Sequence, residues 1–164
     1  MAMTESPRAT VTLQGDREIL ITREFDAPAA LVFRAWTDPE LVPRWWTARR
    51  GTMDVCEIDL RVGGSWRYVM TTLEGGFEVG FHGEYREIVP GERLVHTEVF
   101  EGMPDAAALD VITFDERAGR TLVTMLVRHE LPEHRDAHIA SGMEDGMQDA
   151  FDLMEDVARS LREG

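Results

Sequence analysis

The chain contains a single cysteine, Cys56. No intrachain disulfide can form, and a reducing cytoplasm fits such a chain best. Cys56 lies in the apolar, strand-like run MDVCEIDL with acidic neighbours. Those surroundings do not favour a thiolate, so it reads as a buried structural residue. Positive charge is also short: 17 Lys and Arg face 31 Asp and Glu, for a net charge of −14. Duplex binding needs clustered cations to displace counterions, so nucleic acid is not an expected partner. An anionic membrane surface is disfavoured on the same ground, and the acidic excess serves solubility.

No apolar run approaches the roughly 20 residues of a membrane span. The N-terminal MAMTESPRATVTLQGD has no apolar stretch of the kind a secretory signal needs. Residues 1–16 therefore read as a disordered tail ahead of one domain over 17–164. Internal repeats and low-complexity tracts are absent. No glycine-rich phosphate loop precedes a helix, because the GlyGly pairs sit in hairpin turns. Ser65, Ser141 and Ser160 lack a nucleophile-elbow context. His134 and His138 have a spacing that can hold zinc, but HExxH is missing because residue 135 is Arg. With acidic neighbours near a helix start, they read as surface histidines. No metal and no cofactor are expected.

What is present suffices for one folded domain: 164 residues, 43% of them hydrophobic. REILITREF (17–25) alternates apolar and polar residues and reads as a strand. AlaPro after Asp26 opens a helix through Leu31, Val32, Ala35 and Trp36, with Asp26 or a neighbour as cap. ThrAspProGlu (37–40) starts a second short helix ending near Trp45 and Trp46. Strands follow over 52–60, 65–72, 77–89, 93–100, 109–116 and 120–130, separated by glycine- and proline-bearing turns. Trp66, Tyr68 and Met70 share one face, as do Phe77, Val79, Phe81, Gly83 and Tyr85. From Glu133 to about Arg162 the pattern is one long helix. Its apolar stripe is Ile139, Met143, Met147, Phe151, Met154, Val157, Ala158 and Leu161. An antiparallel meander with one buried face needs a cover, and only this helix can supply it. The expected architecture is α+β, a curved antiparallel sheet gripping a long C-terminal helix.

That helix carries Gly142 and Gly146 beside Met143, Met147 and Phe151. A glycine in a helix interior costs roughly 1 kcal/mol relative to alanine. Two explanations stand. Bare backbone lets the helix press closely on a strand, or it leaves space between helix and sheet. Flexible methionines and facing aromatics suit the second, since they line small-molecule pockets; the same stripe also serves as plain core.

FDAPAALVFRAWTDPELVPRWW, IDLRVGGSWRYVM, GEYREIVPGERLVHTEVF and RDAHIASGMEDGMQDAFDLMEDVA, in that order, resemble the START-like, or SRPBCC, superfamily. Within it the chain is similar to the bacterial branch named after the activator of the heat-shock-protein ATPase. The resemblance spans nearly everything from Arg17 to Leu161. It implies a helix-grip fold with a hydrophobic cavity between the sheet and the C-terminal helix. It also implies a range of roles: lipid and hormone carriers, aromatic polyketide cyclases and antibiotic self-resistance proteins. Two positions depart from the family pattern. His96 stands where an aromatic or uncharged residue is common, and ProGly at 90 and 91 replaces ProPro.

Three functional expectations follow. The leading one is a cytoplasmic binding protein for a small hydrophobic, aromatic or polycyclic molecule. Its contacts would come from Trp36, Trp66, Tyr68, Met70, Phe81, His96, Glu98, Phe100, Gly142, Met143, Gly146, Met147 and Phe151. The second is a cofactor-free enzyme of the polyketide cyclase or dehydratase type. There His96 and Glu98, two apart on a strand and so on one face, would act as base and partner. The same pair also reads as a satisfied polar pair or as two residues on the wet face. The third is a co-chaperone-like ATPase activator. Arg44, Arg49 and Arg50 either attract an acidic ligand at the pocket mouth or form a solvated loop. An edge strand could support a homodimer.

Overall fold

The computed structural model describes residues 8–163. Strands β1 (Thr10–Gln14) and β2 (Glu18–Phe25) lead into helix α1 (Ala29–Thr37) and a 3-10 turn at Val42–Arg44. Six strands follow: β3 (Gly51–Ile58), β4 (Ser65–Thr72), β5 (Glu78–Val89), β6 (Arg93–Phe100), β7 (Ala108–Arg117) and β8 (Arg120–His129). Helices α2 (Pro132–Ala140) and α3 (Met143–Glu163) complete the fold. The strands make one 8-stranded sheet in the order β1-β2-β8-β7-β6-β5-β4-β3, and every pairing is antiparallel. Register shifts between Met53 and Val55 and between Tyr85 and Glu87 bend it. This is the α+β helix-grip arrangement that the element order implies.

The residues before β2 depart from the expected disordered tail. The part before residue 8 lies outside the described residues, but Thr10–Gln14 pair along β2. A long-range clamp holds the strand start. The Ala9 N–H donates to Gln148 Oε1 at 2.9 Å, and Gln148 Nε2 donates back to the Ala9 carbonyl at 2.8 Å. No local pattern reveals a partner 139 residues away.

The single long helix expected over 133–162 is two helices. Gly142 adopts φ 81°, the left-handed conformation that ends helices and that glycine accepts without a Cβ penalty. It terminates α2 and is not a helix-interior residue. The expected second helix after Thr37 reduces to the 3-10 turn. Asp26 caps nothing: the Ala29 N–H donates instead to Glu116 Oε1 of β7 at 2.8 Å.

α3 packs its main chain on α1 and stands off from the strands. Its tie to the sheet runs through side chains. Arg23 of β2, 2% exposed, donates to the Phe151 carbonyl at 2.7 Å and pairs with Asp152 at 2.9 Å. Burial lowers the Arg23 pKa, while Glu155 and Asp152 pull it back up. Phe151 meets Phe25 and Trp36 with ring centroids 5.7 and 5.6 Å apart. Phe25, Ile112, Val32 and Met154 are fully buried between sheet, α1 and α3, and this core props one end of α3 away from the sheet.

A candidate ligand-binding cavity

Where α3 stands off, a cavity of about 580 Å³ opens between the sheet, the 45–50 loop, α2 and α3. That is the size and situation of a small-molecule site. β4 contributes Trp66, Tyr68 and Met70, and β5 contributes Phe81. β6 adds His96, Glu98 and Phe100; α1 adds Trp36; α3 adds Met143, Gly146, Met147 and Phe151. Of the residues expected from the sequence, only Gly142 is missing from the lining, because it terminates α2. Phe77, expected on the face of Phe81, lies before β5 and is 69% exposed. Gly146 does not press on a strand: a Cβ there would meet Arg50 Nη1 at 2.9 Å.

The apolar wall is an aromatic chain. Trp66 stacks tilted on Tyr68 at 4.7 Å, Trp46 stands edge-on to Tyr68 and Phe81 at 5.3 and 5.6 Å, and Phe81 meets Phe100 at 5.2 Å. Gly83 makes this wall possible. A Cβ on it would lie 1.9 Å from the Thr97 carbonyl and 2.5 Å from Trp66 Nε1. Without one, the indole N–H donates to that carbonyl at 3.1 Å. At the mouth, Arg50 lines the cavity and pairs with Asp149 at 2.8 Å; Arg44 and Arg49 do not line it.

The polar wall is built by cross-strand pairing. Glu98, Ala108 and His129 sit opposite one another across β6, β7 and β8, and His96, Asp110 and Val127 form the next row. α2 closes over this end with His134 and His138. His129 Nε2 and His138 Nδ1 share a hydrogen bond of 3.1 Å. His96 Nδ1 lies 3.0 Å from the Thr97 carbonyl and 3.8 Å from Asp110 Oδ2. Asp110 is fully buried, and neither of its oxygens accepts a hydrogen bond from a protein donor.

Burial, then the charge of Glu98, pushes the Asp110 carboxyl well above the usual range. Two carboxylates cannot hydrogen-bond each other; with a proton on Asp110, it and Glu98 can. Burial also lowers His96 and His138, opposed at both by Glu98. His129 falls to about 4 through burial and the neighbouring His138, His134 and Arg135. Burial thus favours the neutral forms of His96, His129, His138 and Asp110 on this wall. His96 and Glu98, expected to share a face, do so. Asp110, Trp46 and Tyr85 also line the cavity, and sequence reading did not place them there; His134 and His138, read from the sequence as surface histidines, line it too, beside His129, because α2 folds over this end of the sheet. Asp110 had a signal: Ala108, Asp110, Ile112 and Phe114 alternate on one face of β7.

Elsewhere, burial raises the half-buried Cys56 thiol to about 11, consistent with an unreactive residue. Among the described residues, no group of three His, Cys, Asp or Glu is set to hold a metal ion. No helix there is long and apolar enough to cross a membrane.

Residues 26–159 match the family model described as Activator of Hsp90 ATPase homolog 1-like protein. Among solved structures, a protein from Rhodobacter sphaeroides is 28% identical, covers 93% of this chain and 99% of its own, and superposes with a TM-score of 0.85. A protein from Nitrosomonas europaea is similar at 24% identity, covering 93% and 100% of the two chains, with a TM-score of 0.82. One from Mycobacterium smegmatis has 24% identity, covers 91% and 96%, and has a TM-score of 0.80. Among curated proteins, none matches the chain.

Proposed function

The chain belongs to the Activator of Hsp90 ATPase homolog 1-like protein family, and from that premise we propose that it is a cytoplasmic binding protein for a small hydrophobic molecule, aromatic or polycyclic, held between the sheet and α3. The observation that carries this reading is the cavity of about 580 Å³ walled by Trp46, Trp66, Tyr68 and Phe81. Close-packed interiors do not leave a hollow of that size without an occupant or solvent. Aromatic rings at the wall offer edges and faces to a planar guest. Met143 and Met147 supply a surface that adapts to its outline.

The test is displacement of an environment-sensitive anilinonaphthalene dye, with native mass spectrometry to count guests. One guest per chain, displaceable by polycyclic aromatic compounds, is the expected result. If no apolar compound binds, the reading fails.

A second reading, a cofactor-free enzyme acting through His96 and Glu98, is favoured by one observation: His96 is buried, its protonated form is disfavoured by burial, and its Nδ1 lies 3.8 Å from the Asp110 carboxyl. A neutral imidazole can take a proton from a bound substrate. Turnover with a bell-shaped pH profile that disappears in both His96→Ala and Glu98→Gln would distinguish catalysis from binding.

A further inference from the structure

The polar wall has too many acceptors. His96 Nδ1 faces a carbonyl, so it carries the proton, and Nε2 is left as a bare acceptor. In the His129–His138 hydrogen bond one ring donates, so each tautomeric arrangement leaves one outward N–H and one bare nitrogen. Asp110 and Glu98 bring four oxygens, and the Asp110 oxygens have no protein donor. Against at least four open acceptors the wall offers few spare donors: one N–H of the His129–His138 pair, the ring N–H of His134 and one hydroxyl of the Tyr68–Tyr85 pair. Among the described residues, no cation fills the deficit. All 17 basic residues are arginines and the sequence has no lysine. Arg50 is engaged with Asp149 at the mouth, and Arg135 with Asp136 and the Gly15 and Glu18 carbonyls. A buried acceptor left without a donor is costly, so such a wall favours a guest that brings several N–H groups.

We propose that this wall is a cation subsite, in which the Asp110 and Glu98 carboxyls, flanked by His96 and the His129–His138 pair, receive the ammonium head of a hydrophobic amine whose ring system lies against Trp66, Tyr68 and Phe81. The proposal rests on the hydrophobic-ligand reading and names the chemical class of its guest. Binding exchanges one cation for another. The ammonium enters, the Asp110 proton leaves to solvent, and two carboxylates then face one ammonium. The net charge of −14 draws cations toward the chain at long range.

The groups that face Asp110 set the pH response. On β6 these are His96 and Glu98, on β8 His129, and on α2 His134 and His138; the α3 lining residues, Met143, Gly146, Met147, Ala150 and Phe151, bring no titratable group. Acid keeps the proton on Asp110 and begins to charge the imidazoles, and both oppose an ammonium. Affinity for the amine therefore rises with pH until the amine itself deprotonates.

Calorimetric titration of the full chain with naphthylethylamine, naphthylethanol and naphthylacetate tests this, in two buffers of different ionisation enthalpy to count protons. The expected result at about pH 8 is an amine bound about tenfold more tightly than the alcohol, with proton release and with the carboxylate weakest. The preference should vanish near pH 5 and in Asp110→Asn. Alcohol or carboxylate binding as tightly as the amine, with the anilinonaphthalene dye still bound, overturns the cation subsite and leaves the hydrophobic site standing. An amine preference that survives in Asp110→Asn also overturns it. Failure of the dye and all three probes overturns both.

Discussion

Burying Asp110 without a donor leaves the folded chain one low-energy option, which is to keep the proton. An unfolded aspartate loses its proton near pH 4, whereas Asp110 in the fold holds its proton to higher pH. Between those two points the folded state binds more protons than the unfolded one. Stability therefore falls as pH rises through that window. The lowered histidines act in the opposite sense. His96, His129 and His138 titrate below their unfolded value, so the unfolded chain binds more protons and stability is lost as pH falls from about 6.5. Asp110→Asn removes only the first effect. Its melting temperature relative to the parent should climb between about pH 5 and about pH 8, by several degrees at about 2–4 °C per kcal/mol. Scanning calorimetry at both pH values checks this, and a flat difference would mean that Asp110 ionises normally. The site was half legible at this scale. His96 and Glu98 share a face by strand alternation alone, and Asp110 belongs to an alternation just as regular. Its significance depends on having Glu98 and no cation beside it, and that follows from the pairing of β6 with β7.

The C-terminal segment shows how two identical residues four positions apart take different work. Gly142 breaks the helix in a left-handed conformation, with open space where a Cβ would go. Gly146 lies inside α3, and the only atom a Cβ would crowd is the mobile end of Arg50. Alanine at 142 should cost about 1 kcal/mol for the left-handed backbone. Alanine at 146 gains up to about 1 kcal/mol of helix propensity. Its one opposing effect is a shifted Arg50, whose exposed pair with Asp149 contributes little. Urea denaturation should therefore show Gly142→Ala destabilised and Gly146→Ala unchanged or stabilised. Equal losses at both positions would contradict the assignment. Helical periodicity runs through 133–162 without showing the break, because apolar spacing reports a face and not the dihedral angles that interrupt it.

Across the whole molecule, the cavity exists because α3 is fastened at one side. Arg23, Phe25 and Trp36 hold its Phe151 region, and the side facing β4 to β6 has no comparable packing. A hollow of that kind forfeits dispersion contacts, so filling it should exchange binding for stability. Met147→Trp is expected to weaken dye binding by about tenfold or more, while the melting temperature holds or rises. Dye binding unchanged by the larger ring would place the guest elsewhere. β1 and β3 remain as the two edges of the open sheet.

By itself the sequence determined the antiparallel meander from β2 to β8, the family, and Trp66, Tyr68, Phe81, His96 and Glu98 of the wall, because strand alternation and helical spacing are local properties that side chains carry with them. The tertiary structure decided the rest. It added β1 through the Gln148 clamp on Ala9, it divided the last helix at Gly142, and it set Asp110 among acceptors with no donor. Each of these depends on groups far apart along the chain meeting in space, and no periodicity within a short window encodes such a meeting.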